Sequence, residues 1–366
     1  MKLLKQPDDG LNPLINAIDR AKSYIEIVIF RFDHVQLEKA LLNAVKRGVS
    51  VRALIAHLNG SGGESLRKLE TRLLAAGVTV SRTDNTLARY HAKLMIVDHR
   101  ELYVLAFNWT HQDIGHSRSF GLIIKNRDLV QEAIKLFDAD SKRQPYKPAL
   151  HTLVVSPENA RKRLASFIKA AKHELLIYDP KISDPAMIRL LQERSRANVA
   201  IRIIGALGGK NPQLSARPLG HMSLHTRCIM RDSKWAFIGS QSLRTIELDG
   251  RREVGVICRD QAVVKALAKT FNSDWKRSGT PERKFQKTRD AAKVAKKIAK
   301  ALVKDLSPVA PMLDGVIKEI TKTEVAPLLD RSELEESMKE SVKEAVSTVI
   351  EQALEPAMQS KGLSGD

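Results

Sequence analysis

The chain predicts an α/β fold of two similar layered halves followed by a helical appendage, and an internal repeat is the first reason. Ile18, Ala21, Lys22 and Ile25 recur as Ile168, Ala171, Lys172 and Leu175, and Val49-Ser-Val-Arg52 recurs as Val199-Ala-Ile-Arg202, in each case 150 residues on. Further along the offset becomes 134: His91 matches His225, Asp98 matches Asp232, and Gly121-Leu-Ile-Ile matches Gly255-Val-Ile-Cys. The second half is therefore 16 residues shorter, around the stretch that the first half fills with residues 64–83. The second reason is that helical and strand-like spacing alternate in each half. The third is a change of character after residue 278, which sets the expected boundaries at 1–148, 149–278 and 279–366.

Within the halves, residues 11–22 and 35–48 space their apolar side chains as helices do, whereas Ile25-Glu-Ile-Val-Ile-Phe and Val51-Arg-Ala-Leu-Ile-Ala are β-rich apolar runs. Runs so little interrupted by polar residues belong to strands covered on both faces. Further strands are expected at 91–98, 102–107 and 120–126, and again at 225–231, 235–239 and 253–258. The histidine segments should open strands beside loops, where reactive groups are exposed. After residue 278, Val294, Ile298, Leu302 and Leu306 recur every fourth position among lysines, an amphipathic basic helix. Leu313, Val316, Ile317 and Ile320 suggest a second helix, and Met338, Val342, Val346 and Val349 a third. Such a tail can pack on its own body, self-associate with another copy, or lie on an anionic membrane surface.

The 366 residues carry a formal charge of +19, and its location matters more than its size. From Gly279 onward 15 Lys and Arg balance 15 Asp and Glu, so the whole excess, 46 basic against 27 acidic, sits on residues 1–278. A basic body favours polyanionic partners: nucleic acid, an anionic membrane surface or phosphorylated molecules. No apolar run approaches the roughly 20 residues needed to cross a bilayer. The start, Met-Lys-Leu-Leu-Lys-Gln-Pro-Asp-Asp, lacks a signal peptide's apolar core, so the expectation is a cytoplasmic protein, peripheral to a membrane at most. Cys228 and Cys258 fall in expected strands and read as buried reduced thiols.

Two short segments carry the chemistry: His91-Ala-Lys93 with Asp98, and His225-Thr-Arg227 with Asp232. Alternation along an extended strand puts histidine and cation on one face. A neutral imidazole can then attack phosphorus while the cation holds the non-bridging oxygens. Two such histidines suit a two-step phosphodiester exchange. His34, His57, His111, His116 and His173 show no metal-ligand spacing. Gly60-Ser-Gly-Gly63 lacks the Lys-Ser/Thr of a phosphate-cradling loop and reads as a surface turn, and Trp109 suits either a pocket wall or the core. Lys210, in a loop ahead of the second histidine, is placed to draw in an anion.

His-x-Lys-x4-Asp, followed after six residues by Gly-Ser-x-Asn, resembles the signature of the phospholipase D superfamily in both halves, over residues 6 to about 278. The resemblance implies two α/β/α sandwich halves with mixed sheets, related by a pseudo-twofold that brings the histidines together, and no metal or organic cofactor. It implies His91 and His225 as the catalytic pair, with His91 as nucleophile because its motif is intact, and Lys93 and Arg227 as phosphate clamps. Asn108, Ser240 and Ser242 take the phosphate-binding positions, Glu253 the place of a glutamate that orients a histidine, and Asp98 and Asp232 brace their strands. Departures are Arg227 for lysine, Leu105-Ala106 for Gly-Ser in the first half, Ser242 for Asn in the second, and Ser119 where the first half should carry glutamate. Three functions remain open at this level. They are phospholipid head-group hydrolysis or phosphatidyl transfer on anionic or zwitterionic lipid, a metal-independent endonuclease, and a non-catalytic phosphate-binding or assembly protein.

Overall fold

The computed structural model describes residues 1–57, 61–83, 86–209 and 213–279. The helical tail expected over 279–366 lies outside the described residues from 280 onward, and so does Lys210. Two eight-stranded mixed sheets form the body. The first runs in the order Lys2–Gln6, Ser117–Ile124, Glu101–Leu105, Leu94–Val97, Tyr24–Ile29, Ser50–Ile55, Thr79–Arg82. The second repeats that order with Leu153–Ser156, Arg251–Cys258, Trp235–Gly239, Arg227–Arg231, Glu174–Ile182, Ala200–Leu207 and Ala216–Arg217. Along each of these seven-strand orders the last three strands are parallel to one another and the other neighbours are antiparallel, and the eighth strand of each sheet, contributed by the opposite half, pairs parallel. The duplication thus extends to an opening strand, ending in Gln6 and Ser156, that periodicity alone did not announce.

Each sheet is covered on both faces, which is why its strands read as continuous apolar runs. Helices Asn12–Asp19, Val35–Lys46 and Ser61–Ala75 pack on the outer face of the first sheet through Leu14, Ile18, Leu37, Leu41, Leu69 and Leu73. Ala160–Lys169 and Pro185–Arg196 do the same on the second through Leu164, Phe167, Ile168, Met187 and Leu191. The inner faces share one apolar layer with the closing helices Arg127–Ser141 and Gln261–Lys276, including Val104, Leu122, Leu136, Phe137, Ile238, Val256, Leu267 and Phe271. Cys228 and Cys258 lie unoxidised and buried in this layer.

The 16-residue difference between halves corresponds to the Ser61–Ala75 helix, for which the second half has no counterpart among the described residues. Ser61, Gly62 and Gly63 open that helix and do not form the surface turn expected of them. The packing of Leu66, Leu69 and Leu73 against the sheet outweighs the helix-breaking cost of the glycines.

One topological feature departs from the expected layout. Neither histidine opens a strand: strands begin at Leu94 and Arg227, and the preceding residues cross from one sheet to the other. Arg89–Tyr90 pairs with Arg251 and Arg252 of the second sheet, and Ser223–Leu224 pairs with Ser117 and Arg118 of the first. The His91 N–H donates to the Arg252 carbonyl at 2.8 Å, and the His225 N–H to the Arg118 carbonyl at 3.1 Å. Both histidines therefore sit on the seam where the chain passes between the sheets.

Asp98 and Asp232 lie at the far ends of the motif strands, in turns where Asp98, His99, Asp232 and Ser233 adopt φ between 51° and 54°. Asp98 accepts from the N–H groups of Lys22, Ser23 and Tyr24, and Asp232 from those of Lys172, His173 and Glu174. Burial opposes ionisation of both, but these backbone donors win and hold both carboxyls below the usual range. Their stabilising effect is therefore present at neutral pH and lost as pH falls through the depressed folded pKa. Asp98→Ala and Asp232→Ala should each cost about 1–3 kcal/mol at pH 7. Thermal melts should show that deficit narrowing below about pH 4, near the ordinary Asp pKa; a deficit constant with pH would contradict this role.

Candidate active site

The crossing strands carry each histidine into contact with the opposite half. His91 places Nδ1 2.9 and 3.0 Å from the two carboxylate oxygens of Glu253, and its Nε2 lies 2.7 Å from Lys93 Nζ. With Glu253 ionised and Lys93 charged, the carboxylate can only accept and the ammonium can only donate, which puts the proton on Nδ1 and turns the Nε2 lone pair to Lys93. The Phe30 ring packs edge-on against the imidazole, with centroids 4.6 Å apart. Lys93 and Arg89 lie 5.2 and 5.6 Å from the centre of that ring.

His225 is set up by a different acceptor. Its Nδ1 donates to the Ala106 carbonyl of the first half at 2.9 Å, which again leaves Nε2 to face the site. At the repeat position of Glu253 the first half has Ser119, whose buried hydroxyl makes no hydrogen bond to the ring. A main-chain carbonyl does the orienting instead.

The two imidazoles share one electrostatic environment, since Lys93 and Arg227 act on both. Burial lowers the pKa of His91 well below the ordinary value, and Lys93, Arg227, Arg251 and Arg89 lower it further. Burial also lowers His225, to about 4, with Asp113 opposing and Arg227 and Lys93 assisting. Lys93 is lowered by burial, while Glu253 is pushed up to about 7, first by burial and then by neighbouring Glu247. Access differs between the histidines: the side chain is 8% exposed at His91 and 24% exposed at His225.

Of the other residues singled out from sequence, Ser242 Oγ accepts from Arg227 Nε at 3.1 Å, so the two are neighbours in the site. Asn108 is buried, and its Nδ2 donates to Asp113 at 2.8 Å. Ser240 is turned toward the sheet, its Oγ accepting from the Val254 N–H at 3.1 Å. Asp98 and Asp232 are not part of the cluster. Trp109 belongs to the core, its indole N–H donating to the Val28 carbonyl. Among the described residues no group of three or more His, Cys, Asp or Glu is arranged to hold a metal ion.

Sequence reasoning passed over two carboxylates, Asp113 and Glu247. Asp113 accepts from the Asn108 N–H and Glu247 from the Ser242 N–H, at 2.8 and 2.7 Å. Asp113 then lies 3.5 Å from His225 Nε2, and Glu247 faces Arg227, Arg244 and Arg251 at 3.9, 3.3 and 3.5 Å. Both signals were available. The two acids stand 134 residues apart, the repeat offset, and Thr110-His-Gln-Asp113 is a helix-start pattern whose Thr110 hydroxyl accepts the Asp113 N–H.

Comparison with known proteins places this arrangement in context. The family described as cardiolipin synthase, PLD-like domain, matches residues 14–141 and 164–275, once in each half. Mitochondrial cardiolipin hydrolase of Mus musculus is 33% identical over 139 residues, 37% of this chain and 59% of that protein. Phospholipase D of Rickettsia felis is 28% identical over 131 residues, 35% of this chain and 63% of that protein. The chain thus spans about 59% to 63% of the length of these two curated relatives. Among solved structures, polyphosphate kinase from Porphyromonas gingivalis shares the fold with a TM-score of 0.64 at 17% identity, covering 75% of this chain and 47% of that one. Phosphatidylserine synthase from Haemophilus influenzae does so with a TM-score of 0.58 at 12% identity, covering 83% and 94%.

Proposed function

The chain belongs to the phospholipase D superfamily, in the family of cardiolipin synthase-type PLD-like domains, and from that premise we propose that it is a phosphodiesterase or phosphatidyltransferase acting on phospholipid. The observation that carries the reading is the pair of oriented imidazoles, both with Nε2 facing a site served by the same two cations, Lys93 and Arg227.

In this reading His91 is the nucleophile. Glu253 holds the Nδ1 proton, and an incoming phosphoryl oxygen takes over Lys93 and frees the Nε2 lone pair. That lone pair attacks phosphorus, the P–O bond to the head-group alcohol breaks, and the departing oxygen takes the proton carried on His225 Nε2. Water or an acceptor alcohol then gives its proton to His225 while its oxygen displaces His91 from phosphorus, which regenerates both imidazoles. Lys93 and Arg227, with Ser242 beside the guanidinium and Asn108 next to His225's carboxylate neighbour, stabilise the charge on the non-bridging oxygens. Arginine in place of the second lysine retains charge and offers a bidentate fork. The greater exposure of His225 suits the group that exchanges protons with alcohol and water, and the sealed position of His91 suits a covalent intermediate.

Support for lipid as substrate comes from the family description and from the relatives named as cardiolipin hydrolase and phospholipase D. The excess of Lys and Arg on residues 1–278 supports peripheral contact with an anionic surface as the mode of access; no helix among the described residues is long and apolar enough to cross a membrane. The test offers purified protein vesicles of phosphatidylglycerol or cardiolipin and, separately, supercoiled plasmid in the presence of chelator. Head-group release without nicking is expected. Nicking without head-group release would replace this reading with the endonuclease, and neither activity would favour a binding protein.

A further inference from the structure

Resting on the reading of His225 as the proton donor, we infer that Asp113, a residue outside the superfamily signature, is the positioning residue that keeps a proton on His225 Nε2 and so decides which histidine is the acid. The ring's two nitrogens meet different partners. Nδ1 is committed as a donor to the Ala106 carbonyl. Nε2 lies 3.5 Å from a carboxylate oxygen of Asp113. A neutral ring would therefore set a lone pair against a buried anion. A proton at Nε2 turns that repulsion into an ion pair, which is worth most where water is scarce.

Asp113 is 7% exposed and its position is fixed from behind. The Asn108 N–H and Nδ2 both donate to the oxygen that faces His225, and the Asp113 N–H donates to Thr110. Arg227 and Lys93, two further charged neighbours of His225, work against protonation in the empty site. A bound phosphodiester would engage both cations and remove that opposition, leaving Asp113 as the group that sets the proton. Among the described residues nothing equivalent acts on His91, whose Nε2 faces the Lys93 ammonium and whose carboxylate lies on the Nδ1 side. The asymmetry between halves thus sorts a nucleophile from an acid: a cation on one Nε2, an anion on the other.

The test compares two soluble phosphodiesters, one losing p-nitrophenolate, which needs little protonation, and one losing unsubstituted phenolate, which needs more. Asp113→Asn should lower kcat on the phenyl substrate by about 10–100-fold and scarcely change it on the p-nitrophenyl substrate. It should also move the alkaline limb of the kcat profile to lower pH. Asp113→Glu should restore most of the loss, and Asp113→Asn added to His225→Ala should have no further effect. Equal losses on both substrates with an unmoved pH limb would overturn the inference and leave Asp113 as a brace for the Asn108 loop. His225→Ala is the control that separates the two levels. If it leaves phenyl-diester turnover intact, the underlying reading fails; if it removes turnover and Asp113→Asn does not, only this inference does.

Discussion

His91→Ala and His225→Ala are each expected to lower hydrolysis of a phenyl phosphodiester by about 10³–10⁴-fold or more, the largest effects in the molecule, with thermal melts close to those of the parent protein. The size follows from the roles: without His91 no nitrogen displaces the leaving group, and without His225 no proton reaches it. The two variants should nevertheless differ. A p-nitrophenyl diester needs little acid assistance to lose its leaving group, so His225→Ala should still undergo the first step on that substrate and stall at the second. His91→Ala should do neither. Stopped-flow traces would show a burst of p-nitrophenolate, about one equivalent per protein, for His225→Ala alone. A burst from His91→Ala, or none from either, would contradict the assignment of roles.

Glu253→Gln is expected to produce the next largest loss, about 10²–10³-fold in kcat. An amide can offer its NH₂ to Nδ1 and favour the wrong tautomer, with the lone pair turned away from phosphorus. The same substitution should help the fold where it harms the chemistry. Burial pushes the Glu253 carboxyl up to about 7, above its unfolded value near 4.5. A raised folded pKa means that its favourable contribution is complete below pH 4.5 and is lost as pH rises through about 7. The glutamine variant carries no such dependence, so its melting temperature relative to the parent should improve steadily between pH 5 and pH 8. Melts that run parallel over that range would show that Glu253 is not a strained acid.

Much of this could be read from residues alone, and the parts that could not share a physical cause. The repeat at offsets 150 and 134, and the uninterrupted runs at Ile25–Phe30 and Val51–Ala56, reveal two covered sheets because burial on both faces leaves a mark in every side chain of a strand. The crossings at Arg89–Tyr90 and Ser223–Leu224 leave no such mark, since each is held by two residues whose partners are more than a hundred positions away. For the same reason His91 and Glu253 are recognisable as motif residues while their partnership across the halves is not. The Ser61–Ala75 helix was obscured by its Gly-rich start, where local propensity points one way and packing on the sheet decides the other. Asp113 and Glu247 were hidden in short polar helices, and only their equal spacing along the repeat betrays them.

Every role proposed for the site depends on the passage of a phosphoryl group through a covalent bond to His91 Nε2. Its most direct test is to mix His225→Ala with a p-nitrophenyl phosphodiester, quench at neutral or alkaline pH where phosphohistidine survives, digest, and locate the adduct by mass spectrometry. A phosphoester-bearing peptide with the modification on His91 is the expected result. An adduct on another residue, or release of p-nitrophenolate with His91 unmodified throughout, would contradict it.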